Sequence, residues 1–217
     1  MLSIQTFTFN AFSENTYVVS DETLAAVVID PGCYTRDEQL ELSSFIEARN
    51  LKIELILNTH CHIDHVLGND FVKDKYNVPL LLHKIEEAPL RAVKNYAPVY
   101  GFEGYREAEP DRFVDVADLI SFGNTRWKIL FLPGHSPGHI GFYDDREKII
   151  FSGDVLFAGS IGRTDLPGGN FEILIKSIHQ QLFTLPDQVV VYPGHGPTTT
   201  VGEEKIANPF CALSVVR

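Results

Sequence analysis

Residues 2–9, 15–20 and 24–30 carry apolar or β-branched side chains that alternate with polar ones or run together. Asn10, Ser13-Glu14 and Asp21-Glu22 interrupt them, and Asp30-Pro31-Gly32 stops them. A period of two puts successive side chains on opposite faces, so these segments predict three strands of a meander. The period then changes. Leu42, Phe45 and Ile46 recur at helical spacing within 36–49, with Thr35 placed as N-cap, and predict an amphipathic helix covering that sheet. The short apolar run from Ile53 to Leu57 predicts a buried strand.

Further along, a helix near 67–76, a strand at 78–82 and a helix from Lys84 into the nineties are predicted. Residues 97–111, rich in Tyr, Gly, Glu and Pro without periodicity, predict a long surface loop able to flank a substrate site, with Tyr100 and Tyr105 as surface aromatics. Strands resume at 112–122, 126–132, 139–144 and 148–152. A helix follows at 171–183, with Ile173, Leu174, Ile178 and Leu182 on one face, then a strand at 188–192 and a short helix from Glu203 to Ala207. The layout is comparable on either side of 97–111. It predicts one domain over 1–217 made of two similar halves with their boundary near that loop. The expected class is α/β: an αββα sandwich of two mixed β-sheets with helices on both outer faces.

Composition narrows the function classes. A chain of 217 residues that is 44% hydrophobic and 22% charged has ordinary globular balance. Eighteen basic against 29 acidic residues leave a net charge of −11 with no basic stripe, which argues against nucleic acid and anionic membranes as partners. No apolar stretch approaches the roughly 20 residues a membrane span needs. The amino terminus reads as strand rather than signal peptide. Cys33, Cys61 and Cys211 match neither a disulfide framework nor a C-x-x-C motif, so the expected setting is a reducing, cytoplasmic one.

The chemistry concentrates after the fourth strand. His60, His62, Asp64 and His65 fall at i, i+2, i+4 and i+5, a density of imidazole and carboxylate that packing alone does not call for. A divalent cation satisfies such a set, and neutral imidazole with ionised carboxylate suits zinc and related borderline metals. Alternation puts His60 and His62 on one side, and a turn sets Asp64 and His65 toward a neighbouring position, so two adjacent metals fit the spacing. Cys61 points away from them. Three more segments end an apolar strand in Gly plus a ligand: Leu132-Pro133-Gly134-His135, Phe151-Ser152-Gly153-Asp154 and Tyr192-Pro193-Gly194-His195. A solvated chance cluster would not repeat that design, and a purely structural zinc site would be a closed, Cys-rich cage. His139, at the start of a predicted strand, is expected to bond backbone locally, and His83 and His179 sit in local polar or helical contexts, so none of the three is counted as a ligand; Asp30 and Thr59 are candidates to orient the ligating imidazoles.

The pattern H-x-H-x-D-H, then His, Asp and His, resembles the metallo-β-lactamase superfamily over nearly the whole chain. That resemblance implies one metal on His60, His62 and His135, a second on Asp64, His65 and His195, and Asp154 bridging, with a water or hydroxide between two divalent ions. Zn2+ is expected, with Fe or Mn as alternatives. Asp64 would also orient the nucleophile.

The stretch Ser152 to Asp165, with Gly162-Arg163-Thr164-Asp165, is similar to glyoxalase II in a short form lacking the carboxy-terminal helical domain. It implies hydrolysis of small-molecule thioesters such as S-lactoylglutathione, or related esters, with Arg163 meeting a substrate carboxylate or else pairing with Asp165. Gly196-Pro197-Thr198 stands where that family carries a Tyr. The alternatives are a persulfide dioxygenase-like mononuclear iron oxidoreductase, holding iron on His60, His135 and Asp154, and a non-catalytic metal-binding module.

Overall fold

The opening alternation forms the expected meander: β1 (Ser3–Phe9), β2 (Glu14–Ser20) and β3 (Ala25–Ile29) pair antiparallel in sequence. Every residue of β2 and β3 is buried, which is why their sequence reads as runs while β1, half exposed, alternates. α1 (Arg36–Ala48) starts on a capping box in which Thr35 and Glu38 satisfy each other's backbone N–H groups. It is followed by β4 (Lys52–Leu57), α2 (Asn69–Tyr76), β5 (Leu80–His83), α3 (Glu87–Tyr96) and β6 (Arg112–Val114). The six strands lie in the order β1-β2-β3-β4-β5-β6, and Leu42 and Ile46 of α1, Val72 of α2 and Leu90 and Val93 of α3 join Val18, Val28, Ile56 and Leu80 in one buried cluster.

A second six-stranded sheet follows. β7 (Leu119–Phe122), β8 (Thr125–Phe131), β9 (Ile140–Asp144), β10 (Ile149–Gly153), β13 (Val190–Pro193) and β14 (Thr199–Thr200) lie in the order β14-β13-β10-β9-β8-β7. β11 (Leu156–Phe157) and β12 (Ser160–Ile161) form a small separate hairpin. α4 (Phe171–Ser177) and α5 (Val201–Ala207) complete the elements, with Leu174, Ile178, Leu182 and Val201 packed on Ile150 and Val191.

The computed structural model describes residues 1–215. They group into two compact units, Met1–Val114 with Ser121–Arg126, and Asp115–Ile120 with the chain from Trp127 onward. Both sheets are mixed. In the first unit β3, β4 and β5 run parallel. In the second, β10 and β13 run parallel, and β8 runs the same way because β9 is antiparallel to both β8 and β10. Parallel strands bring their carboxyl ends to one edge, and each ligand-bearing segment leaves such an end.

Three expectations need correction. The strand expected over 112–122 is two strands in different sheets, because Asp115 and Asp118 break it. The Asp118 carboxylate accepts from the Asp115 N–H (2.9 Å) and the Asp115 carboxylate from the Val116 N–H (2.6 Å). The helix expected over 171–183 is α-helical only to Ser177 and closes through a π turn, Ile178–Leu182. The loop expected at 97–111 is present and begins with a 3-10 turn, Ala97–Tyr100, but Tyr105 is not a surface aromatic: it packs against the buried core of the first unit, and the loop is tied down by ion pairs. Arg106 pairs with Asp70 and Asp74 (both 2.8 Å), Arg91 with Glu107 and Glu109, and Lys73 with Asp111 (2.6 Å). Among the described residues no helix is long and apolar enough to cross a membrane.

Asp21 shows how a buried carboxylate holds a turn. It accepts from the Thr23 N–H (2.9 Å) and hydroxyl (2.5 Å), the Asn124 N–H (2.6 Å) and the Thr125 hydroxyl (3.3 Å). Burial works against its ionisation, yet the hydrogen bonds led by Thr23 outweigh burial and hold the carboxyl below the usual range. A depressed folded value means stabilisation that is present above the unfolded pKa, about 3.9, and lost as pH falls through the folded value. Asp21→Ala is expected to lower unfolding free energy by about 2 kcal/mol at pH 7, with the gap to wild type narrowing below about pH 4. Urea titrations giving the same gap at pH 7 and pH 3 would contradict this account.

Candidate metal centre

In the first unit the ligand-rich loop grows from the ends of β3 and β4. Asp30, just past β3, sits in the left-handed region (φ 47°), a conformation that Asp tolerates better than most residues, and its N–H bonds the Leu57 carbonyl at the end of β4 (2.9 Å). That turn aims the Asp30 carboxylate at the loop. One oxygen accepts from the Thr59 N–H (2.7 Å), the other from the Thr59 hydroxyl (2.6 Å), and the second oxygen lies 3.1 Å from His65 Nδ1.

Because the Thr59 proton goes to Asp30, the Thr59 oxygen is left to accept from His60 Nδ1, 3.1 Å away. Asn58, bonded to the His65 carbonyl (3.2 Å) and paired with Asn69 (2.8 Å), closes the loop from behind. The His60 ring lies 4.7 Å from that of His62 and 4.2 Å from that of His65. His65 Nε2 lies 3.5 Å from the Asp64 carboxylate. Metal-capable atoms of Asp30, His60 and His65 lie within 4.8 Å of one another.

The second unit repeats the device. His135, Asp154 and His195 follow β8, β10 and β13. His135 Nδ1 donates to the Arg163 carbonyl (2.7 Å), and the Asp154 Oδ2 atom lies 3.5 Å from His135 Nε2 and 3.4 Å from His195 Nε2. The Arg163 side chain is exposed and forms a two-toothed pair with Asp165 (2.7 Å each), which holds the Asp165 carboxyl down at about 2.

This donor set fits a metal. Three imidazoles spend Nδ1 on an oxygen, which fixes the tautomer with an Nε2 lone pair turned toward a carboxylate in two of them. Separations of 3.4–3.5 Å exceed the 2.7–2.9 Å of a good charge-assisted hydrogen bond. They match the roughly 3.4 Å between two atoms each about 2.0–2.2 Å from one tetrahedral ion.

Four residues whose roles the sequence did not reveal also shape these half-sites. Glu86, fully buried, accepts from the Cys61 N–H between His60 and His62 (2.8 Å). Glu14, equally buried, accepts from the Thr16 hydroxyl (2.8 Å) and lies 3.9 Å from His65 Nδ1; burial pushes its carboxyl well above the usual range against the pull of His65. Gly162 passes so close to Asp154 and His135 that a Cβ would strike the Asp154 carbonyl oxygen. His139, expected to bond locally, instead accepts the distant Asp154 N–H on its Nε2 (3.1 Å). The first two partners lie 25 and 51 residues from the loop they serve, so no spacing rule reveals them. Cys61 packs into the apolar core, its thiol pushed up by burial and then by the Glu86 charge.

Two sets of strand-end imidazoles and carboxylates on two mixed sheets define a class of metal-dependent enzymes. A family model of the metallo-β-lactamase superfamily matches residues 10–195, and the chain belongs to that superfamily, whose members are mostly hydrolases that bind divalent metals. It is 36% identical over 211 residues to hydroxyacylglutathione hydrolase GloC of Haemophilus influenzae, covering 96% of this chain and 98% of that protein. Among solved structures it is similar to the BLEG-1 B3 metallo-β-lactamase (TM-score 0.88, 34% identity, 96% and 99% of the two chains). It is also similar to TTHA1623 in a di-iron-bound form (TM-score 0.85, 36% identity, 95% and 99%). The expected α/β class with two mixed sheets is the fold of these neighbours.

If Glu86 holds the His60–His62 segment by its bond to Cys61, Glu86→Ala should weaken zinc affinity about 10-fold while Glu86→Gln, which keeps an acceptor, retains most of it. Chelator competition on the three proteins decides, and equal affinities throughout would remove Glu86 from the site.

Proposed function

We propose that the two half-sites work as one dinuclear centre of a thioester hydrolase. In this reading His60, His62 and His135 would hold one divalent ion and Asp64, His65 and His195 the other, with Asp154 contributing to both. The observation that carries it is the common setting of His60, His65 and His135, each with Nδ1 held by an oxygen, the arrangement that ligating imidazoles adopt. The similarity to GloC over nearly the full length of both chains supports a hydroxyacylglutathione-type substrate.

When bound, a pair of divalent ions supplies a nucleophile from water at neutral pH and polarises a carbonyl oxygen. The chain's own residues do the rest. Asp30 and Thr59 keep two imidazoles in the ligating tautomer, and the Arg163 carbonyl keeps a third. The Asp64 carboxylate, beside His65 and only slightly exposed, orients the attacking water. A thiol leaving group, with pKa near 8.5, departs as thiolate without a strong general acid, so a site furnished with carboxylates and imidazoles suffices. Arg163 receives the carboxylate of the thiol portion by exchanging its partner Asp165, an exposed pair that costs little to open.

Zinc is the expected metal. The di-iron form of TTHA1623 gives iron a specific claim to a two-metal centre, and a mononuclear iron oxidoreductase is the second reading, with the fold similarity to ETHE1 from Myxococcus xanthus beside it. Elemental analysis of anaerobically purified protein, with thioester hydrolysis and persulfide-dependent oxygen uptake on the same sample, separates them. Two metals per chain with thioester turnover support the hydrolase; one iron with oxygen consumption replaces it.

His62→Ala and Asp154→Asn should each lower S-lactoylglutathione hydrolysis by more than about 100-fold with an unchanged circular dichroism spectrum. Turnover retained at unchanged metal content would remove the residue concerned from the centre. Arg163→Ala should raise KM for glutathione thioesters about 10-fold and leave KM for neutral thioesters unchanged, as the loss of one charge-assisted pair predicts. Equal effects on both would end its assignment to a carboxylate.

A further inference from the structure

The first unit carries an aromatic surface that neither its core nor its metal ligands account for. Phe12 is 39% exposed, Val99 83% and Tyr100 54%. The rings are mutually ordered: Phe12 lies edge-on to Tyr100 at 5.8 Å and tilted against the buried Phe102 at 6.1 Å, and Tyr100 meets Tyr96 edge-on at 6.1 Å. Scattered surface aromatics need no explanation, but a contiguous ordered group marks a place where something apolar binds.

A hydrogen-bonded turn ties this group to the ligand loop at Asp64. The β1–β2 turn that presents Phe12 is bolted to the ligand loop: Asn10 Nδ2 donates to the Asp64 carbonyl and to the Gly32 carbonyl (3.0 Å each), while Asn10 Oδ1 accepts the Phe12 N–H (3.0 Å). The turn holds Asn10 and Ser13 at positive φ (52° and 56°), conformations kept only where the surroundings impose them. Tyr96, on α3, joins the same group of rings through its contact with Tyr100.

The surface is preformed rather than a closing lid. Tyr34 stacks edge-on against Phe102 (4.9 Å) and accepts the Gly104 N–H (2.9 Å), and the ion pairs of Arg106, Arg91 and Lys73 fix the chain beyond. A rigid aromatic face binds an apolar group with little ordering cost.

We infer that Phe12, Tyr96 and Tyr100 form the acyl subsite of the proposed thioesterase, and that the acyl group it favours carries an aromatic or extended apolar substituent, hydroxyacyl groups so substituted included. The inference rests on the thioesterase reading for the identity of the ligand. It adds that discrimination lies in the acyl half, since Arg163 is assigned to the thiol half.

Binding of non-hydrolysable thioethers to the metal-loaded protein tests it without relying on turnover. By calorimetry, S-benzylglutathione should bind wild type about 10-fold more tightly than S-methylglutathione. Phe12→Ser and Tyr100→Ser, both at exposed positions, should cut that preference to about 2-fold while leaving S-methylglutathione affinity and melting temperature unchanged. Equal affinities in wild type, a preference that survives both substitutions, or no binding of either thioether overturns the subsite. Hydrolysis of S-lactoylglutathione is measured on the same samples. A substitution-sensitive preference without any thioester turnover would sustain the subsite and overturn the thioesterase reading alone.

Discussion

The carboxylate of Asp30 is the constraint on which the first half-site depends. A buried carboxylate is costly unless its lone pairs are used, and here the Thr59 amide, the Thr59 hydroxyl and the His65 ring use them. The same three bonds set the start of the ligand loop, the tautomer of His65 and, through the Thr59 oxygen, the tautomer of His60. Asp30 can do this because it stands in a left-handed turn joined to the end of β4, so the strand pairing of β3 with β4 is what aims it. Sheet geometry thus becomes imidazole chemistry within a few residues.

The second unit reaches a similar end by different means. At His135 the Arg163 carbonyl accepts from Nδ1–H, and Gly162 leaves room for the chain to pass Asp154 there. Asp154 is steadied through its own backbone by His139 and approached by two imidazoles on one oxygen. A carboxylate flanked by two imidazoles at 3.4–3.5 Å is a good place for a cation and a poor place for a hydrogen-bond network.

Rigidity around the first half-site is distributed. The Asn10 turn, the Glu86 bond to Cys61 and the ion pairs that tie 97–111 to α2 and α3 each act on a different segment. Each exposed ion pair contributes little alone, but several converging on one loop leave it few alternatives. An aromatic surface on such a support is preorganised, which is what discrimination between acyl groups requires.

Local pattern carried much of this protein. Alternation found the meander, helical spacing with Thr35 found α1, and the recurrence of apolar strand, Gly and candidate ligand placed His135, Asp154 and His195 at strand ends, because strand ends and caps are decided by neighbours in sequence. The resemblance of the H-x-H-x-D-H pattern supplied the superfamily, which the family match bears out.

The break between β6 and β7 was not legible, since it depends on Asp115 and Asp118 choosing backbone amides over strand continuation. Nor were Glu14 and Glu86, which are acids in ordinary-looking polar positions until folding buries them against His65 and Cys61. Composition cannot tell a solvated glutamate from a buried one. Only the packing of distant strands decides which carboxylates lose their water, and those are the groups that must then hold something else in place.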